Sequence, residues 1–173
     1  MQFPIELTRL SKPPTSLRWC VSESPFGSMR SQWTPEGGLH TLQLVTSNTQ
    51  ALDPAQQITT DELPDKRLIT LWSNSREIDW SPFAVHITAS DLQWQVWQAL
   101  ITIPFAATCA YQAIAQQIER PKAVRAVGSA IGQNPIFYLI PCHRVLRSNG
   151  SLGGYYWGID IKQRILDWER SYL

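Results

Sequence analysis

Between Leu17 and Thr46 apolar and polar residues alternate in three short runs, LRWCVSE, FGSMRSQW and LHTLQLVT, separated by Pro25 and by the cluster TPEGG. Alternation of period two bounded by turn residues predicts strands, here a meander or hairpin sheet. From Asn48 to Pro82 the pattern becomes polar and acidic around an apolar centre, LITLW, which predicts a helix or two with loops. FAVHI at 83–87 reads as a last strand or a connector. The change of pattern near residues 82–88 divides the chain into a domain of residues 1–86 and another of 87–173. No internal repeat or low-complexity tract stands out.

In the second half the period lengthens. Ser90 and Gln93 have capping-box spacing ahead of LQWQVWQALITI, which predicts a helix ending by Pro104. In YQAIAQQIE, Tyr111, Ile114, Ala115 and Ile118 recur at helical spacing. RPKAVRAVGSAIGQNP follows, with Pro121 at a first helical position, Val124, Val127 and Ile131 on one face, and Gly132 placed to stop it. Two short helices joined by a tight turn are either a helix-turn-helix or an ordinary helical hairpin. The outer face of the second carries Lys122, Arg125, Ala126 and Ser129, two cations beside small side chains. Small residues let a helix approach a narrow groove closely, which favours the minor groove with little reading of bases.

The run IFYLI at 136–140 reads as a buried strand ended by Pro141, and Cys142 follows it. A lone cysteine is often mere packing, but two neighbours favour chemistry. His143 is adjacent. The C-terminal segment DIKQRILDWERSYL, with Asp160 and Gln163 in cap spacing, sets Ile161, Ile165 and Glu169 at successive i,i+4 positions, so Glu169 lies on the apolar face. A carboxylate held inward needs a partner, and an imidazole that needs orienting supplies one, giving a Cys–His–Glu chain in which the thiol is activated. Consecutive side chains point apart, so His143 would reach Cys142 through a water. Gly150, Gly153, Gly154 and Gly158 give the following loop freedom to fold over a ligand.

Composition narrows the setting. The leading residues lack the continuous apolar core of an export signal, and no apolar run approaches a membrane span, so a cytoplasmic protein without membrane contact is expected. Three cysteines, far apart and odd in number, suit a reducing compartment. Net charge is only +1, but residues 116–173 hold 8 Lys/Arg against 4 Asp/Glu, and the stretch from Arg120 to Arg147 contains no acid. That local field suits a polyanion.

PCHRV preceded by NP, together with RPKAVRAVG and GSLGGYYWG, resembles the O6-alkylguanine-DNA alkyltransferases, the methylated-DNA–protein-cysteine methyltransferase family. The resemblance is dense from Asp91 to Glu169 and thinner over SPFGSMRSQWTPEGGLHTLQL. It implies an α+β chain: a ribonuclease-H-like N-terminal α/β domain and a mainly helical C-terminal domain with a helix-turn-helix. It also implies that Cys142 accepts an alkyl group from guanine O6, with His143 and Glu169 as its relay and Asn134 bracing the turn. Arg125 would fill the space of the extruded nucleotide, and Tyr111 would assist flipping. The carbonyls of Cys142 and Val145 would accept from the guanine amino group, and Tyr155 would wall the pocket. The implied partner is double-stranded DNA carrying alkylated bases, held through the minor groove by a monomer with no cofactor and no metal.

Several positions depart from the family pattern. Its Gly-x-Thr-x-Ser-Tyr turn is here AATCAY, with Ala106 and Ala110 in place of glycine and serine, so that Thr108 is left to cap the helix and Cys109 to act as buried filler. Tyr156 stands where many relatives carry a smaller or basic residue, which would alter tolerance for bulky alkyl groups. Cys20, His40 and His86 show no metal-ligand spacing. Two other readings stay open: a module that binds the lesion without reacting, and a cysteine hydrolase using the same three residues.

Overall fold

The computed structural model describes residues 4–47, 49–72 and 81–173; the helical expectation for Asn48 and for 73–80 lies outside the described residues. The chain forms two compact units, one ending at Thr88 and the other running Ala89–Leu173.

The first unit is built on a five-stranded sheet. Strands β1 (Ile5–Leu10), β2 (Arg18–Ser24), β3 (Gly27–Trp33), β4 (Leu39–Leu44) and β5 (Phe83–Thr88) lie in the order β1-β5-β4-β3-β2. β2, β3 and β4 form the antiparallel meander that the alternation predicts, with a register shift between Gln32 and Trp33. β5 joins it in parallel beside β4 and takes β1 in parallel on its other side. This mixed sheet is the ribonuclease-H-like α/β domain. Strand β1 is not anticipated by the sequence reading, because its alternation spans only six half-exposed residues that include Glu6 and Arg9. The core holds Met29, Trp33, Leu39, Leu42, Phe83, Val85 and Ile87, each at most 2% exposed, and each large apolar side chain so buried stabilises by about 2 kcal/mol. A one-turn helix, α1 (Arg67–Thr70), buries Leu68 at the LITLW centre. Cys20 is buried in β2, while His86 bonds Thr34 at 3.0 Å and His40 bonds the His86 carbonyl at 2.7 Å.

The second unit is mainly helical. Helix α2 (Asp91–Leu100) begins with the expected capping box: Gln93 N–H donates to Ser90 Oγ and Ser90 N–H to Gln93 Oε1. Its apolar face buries Val96, Trp97, Ala99 and Leu100, and Trp97 Nε1 donates to the Ala130 carbonyl at 2.9 Å. Helices α3 (Tyr111–Gln117) and α4 (Val124–Gly132) form the helix-turn-helix. Between them Arg120 N–H bonds the Ala115 carbonyl and Glu119 N–H the Gln116 carbonyl, with Glu119 at φ 59°, the Schellman arrangement that reverses a chain. A two-residue ribbon, β6 (Cys109–Ala110) parallel with β7 (Val145–Leu146), and helix α5 (Ile159–Arg170) complete the unit.

Four expectations are corrected here. Pro121 and Lys122 lie in a turn closed by Ala123 N–H on the Arg120 carbonyl, so α4 starts at Val124 and Lys122 is not on its outer face. Thr108 does not cap α3: Ala110 holds that position with no side-chain bond, and the β6–β7 pairing fixes the start of the helix instead. Asp160 is inside α5 rather than at its cap, which is Gly158 at φ 100°, a conformation glycine adopts at little cost; Asp160 instead places its charge in the first turn, where the helix dipole favours it. IFYLI is not a strand but a knot of tight turns: Leu139 N–H bonds the Phe137 carbonyl, Cys142 N–H bonds the Ile140 carbonyl, and Tyr138 sits at φ 62°. A continuous apolar run marks burial, and burial alone does not select the extended form.

Candidate active site

Asn134 organises the turn that delivers the cysteine. Its Oδ1 accepts from Ile136 N–H at 2.9 Å, and its Nδ2 donates to the carbonyls of Ile136 at 3.0 Å and Ile140 at 2.8 Å. The same nitrogen lies 3.1 Å from Cys142 Sγ. Cys142 opens a single 3-10 turn, Cys142–Arg144, and is 4% exposed. Burial raises its thiol pKa, while the Asn134 bond and the field of Lys162 work the other way.

Behind the sulfur, His143 is fully buried and its Nε2 lies 2.9 Å from Glu169 Oε1. Arg144 donates to both oxygens of the same carboxylate, at 2.7 Å for its shortest contact, and to the Ile103 carbonyl. Ala106 N–H, from a residue at φ 57°, completes the carboxylate's partners. Burial opposes the charge on Glu169, but the bonds from His143 and Arg144 outweigh it and lower its pKa to about 2. Burial holds His143 below its usual pKa against the pull of Glu169, so the ring is neutral near neutrality. With Nε2–H on the carboxylate, Nδ1 is the basic nitrogen, and it makes no hydrogen bond to another protein group among the described residues.

Two cations here were missed by the sequence reading. Arg144 neutralises Glu169; its signal was the need of a buried acid for more than a neutral imidazole. Lys162, at 0% exposure, donates from Nζ to the Val145 and Leu152 carbonyls and so ties the two ends of the glycine-bearing loop together. Burial lowers its pKa to about 8. It lies on the inner face of α5 with Ile165, Leu166 and Glu169.

Cys142 is a wall of a solvent-open pocket of about 920 Å³. Tyr111, Arg125, Tyr155 and Tyr156 share that wall, as do Gln112 and Arg147, which the sequence reading did not single out. Tyr111 lies between α4 and the loop: a methyl on Gly128 would stand 3.7 Å from its ring, and one on Gly153, at φ 68°, only 3.2 Å from its hydroxyl. Tyr155 is held next to the cysteine, and burial raises its phenol pKa well above the usual value. Tyr156 is 73% exposed on the rim, edge-on to Trp157. Asn134, His143, Val145 and Glu169 lie behind the wall; Lys122, Ala126 and Ser129 are exposed and outside it. Cys109, on β6, is half-buried rather than the buried filler expected, because the short ribbon it belongs to lies near the surface.

Residues 91–171 match the family model described as 6-O-methylguanine DNA methyltransferase, DNA binding domain. The methylated-DNA–protein-cysteine methyltransferase of Mycobacterium bovis is 34% identical over 168 residues, 97% of this chain and 87% of the relative. The inducible enzyme of that name from Bacillus subtilis is 48% identical over 86 residues, 50% of this chain and 48% of the relative. Among solved structures, Mycobacterium tuberculosis OGT in complex with DNA superposes with a TM-score of 0.70 at 32% identity, covering 89% of this chain and 93% of that one. A cysteine in the wall of an open pocket, backed by an imidazole and a carboxylate and set beside a helix-turn-helix, thus has relatives along nearly the whole sequence: the chain belongs to the methylated-DNA–protein-cysteine methyltransferase family.

Proposed function

We propose that this protein repairs DNA by taking the alkyl group of O6-alkylguanine onto Cys142. The observation that carries the reading is the position of Cys142 in the wall of an open pocket that also contains Arg125 of α4. O6 of a paired guanine is stacked and shielded, so the nucleotide must leave the helix, at a cost of a few kcal/mol that a weakly paired lesion lowers. α4 enters the minor groove with Ala126 and Ser129 against the backbone, Lys122 holds phosphate from the preceding turn, and Arg125 fills the gap left in the stack. The swung-out base is received between Tyr155 and the carbonyls of Cys142 and Val145.

The thiol proton passes to His143 Nδ1, directly or through one water, while Glu169 holds the ring and stabilises the imidazolium. The thiolate attacks the alkyl carbon, the C–O6 bond breaks, and its electrons leave with guanine, toward which Tyr111 donates. The product is a thioether and a guanine that takes up one proton, balanced by the thiol proton that His143 then gives up to water. Thiol exchange does not reverse a thioether, so each molecule acts once, without cofactor. The residue types, the neutral imidazole and the ionised Glu169 support this order of events. The free cysteines among the described residues suit a monomer in the cytoplasm.

The deciding experiment is intact mass after incubation with a duplex containing O6-methylguanine. One methyl localised to Cys142 is expected; no gain there overturns the reading. Arg125→Ala should slow repair in duplex DNA far more than reaction with the free alkylated base.

A further inference from the structure

The ring of Tyr138 lies parallel to the imidazole of His143, with centroids 5.4 Å apart and an interplanar angle of 8°. Tyr138 is buried and is one of the non-glycine residues at positive φ, so its backbone is strained while its ring covers the imidazole. Trp168 meets that ring edge-on at 5.9 Å and packs in turn on Phe105, whose face carries the Arg144 guanidinium at 5.6 Å. The two groups that share Glu169 thus each lie against an aromatic face, and Trp168 links the two faces.

We infer that Tyr138 is a positioning residue for alkyl transfer, its π-face stabilising the imidazolium that His143 becomes when the Cys142 thiol gives up its proton. The inference rests on the reading of His143 as the base. His143 is faced by Glu169 and Lys162 of α5, by Arg144 of its own turn, and by Tyr138. One acid against two cations leaves a new positive charge poorly compensated, and Glu169 covers only the ring edge at Nε2. The negative face of an aromatic ring within about 6 Å of a cation supplies attraction from the direction the carboxylate does not reach.

Simple space-filling makes a different prediction, because it depends on ring shape and not on ring charge. Tyr138→Phe keeps shape and face; Tyr138→pentafluorophenylalanine keeps the shape and reverses the face. Transfer from a methylated duplex at saturating DNA should stay within about twofold for the first and slow about tenfold for the second, the range of a desolvated cation–π contact. Duplex affinity should be the same for both. The His143 ring, followed by NMR against pH, should titrate lower with the fluorinated side chain. In a His143→Gln background the two side chains should give equal rates. A wild-type chain that gains no methyl at Cys142 removes the parent reading and this inference with it. A chain that gains the methyl at the same rate with either ring, or one whose fluorinated ring slows transfer equally without His143, overturns the inference alone.

Discussion

Glu169 determines which nitrogen of His143 is available: its Oε1 lies 2.9 Å from Nε2, so the proton of the neutral ring sits there and Nδ1 is left basic. The same carboxylate is the counter-ion of Arg144, which is 3% exposed. Glu169→Gln can keep the bond to the ring but leaves a buried guanidinium without an anion, a change that costs about 3–5 kcal/mol when a buried pair is broken. Urea unfolding should show that loss, and single-turnover methyl transfer should slow at least about tenfold because the imidazolium loses its partner. A stability change below about 1 kcal/mol would contradict the burial described above.

The pKa of Glu169 gives an acid limb with a definite sign. Its folded value is about 2 against an ordinary 4.5, so the stabilisation is complete above the ordinary value and disappears as pH falls from there towards 2. The loss amounts to about 3 kcal/mol at most. Unfolding free energy measured between pH 5 and 2.5, roughly the window in which the carboxylate takes up its proton, should fall more steeply for wild type than for Glu169→Gln.

Asn134 bonds four groups of one turn, including the sulfur. Asn134→Ala leaves buried carbonyls and the Ile136 N–H unsatisfied and should destabilise by about 2–3 kcal/mol. It also removes a donor that lowers the Cys142 pKa. The pH dependence of thiol alkylation should therefore move to higher pH in the variant, and an unchanged profile would mean that the sulfur does not sense Asn134.

Ala106 holds a left-handed conformation at φ 57° while its N–H serves Glu169. Glycine adopts that conformation without the Cβ clash, so Ala106→Gly should stabilise by about 1 kcal/mol despite the added entropy of the unfolded chain. The thermal midpoint should rise and the methyl-transfer rate should be unchanged; a fall in the midpoint would show that the methyl group packs usefully.

The parts of this molecule legible in the sequence are those in which a local pattern and the tertiary environment agree. The Ser90–Gln93 cap and the alternation of β2 to β4 state their structure in neighbouring residues. The inward turn of Glu169 could be read from its spacing to Ile165, because a helix carries its face along at a known period. Reading failed where distant partners decide. IFYLI has strand composition, yet its conformation is dictated by one side chain, Asn134, binding both sides of the run. Lys162 looks like a surface lysine at the start of a polar helix until the Val145 and Leu152 carbonyls are brought to it from the loop. β1 depends wholly on β5, more than seventy residues away.

Cys109 and Ala110 pair with Val145 and Leu146, so Tyr111 and Cys142 hang from two rails of one short ribbon. The ribbon works as a gauge. Changes at the tip of the loop beyond it, at Ser148 and Asn149, act on the rim of the pocket, while the two rungs of backbone go on metering where α3 and the cysteine turn begin; a side chain added at Gly153 would instead press on the Tyr111 hydroxyl itself. The width of the rim is thereby uncoupled from the footing of the two elements that carry Tyr111 and Cys142.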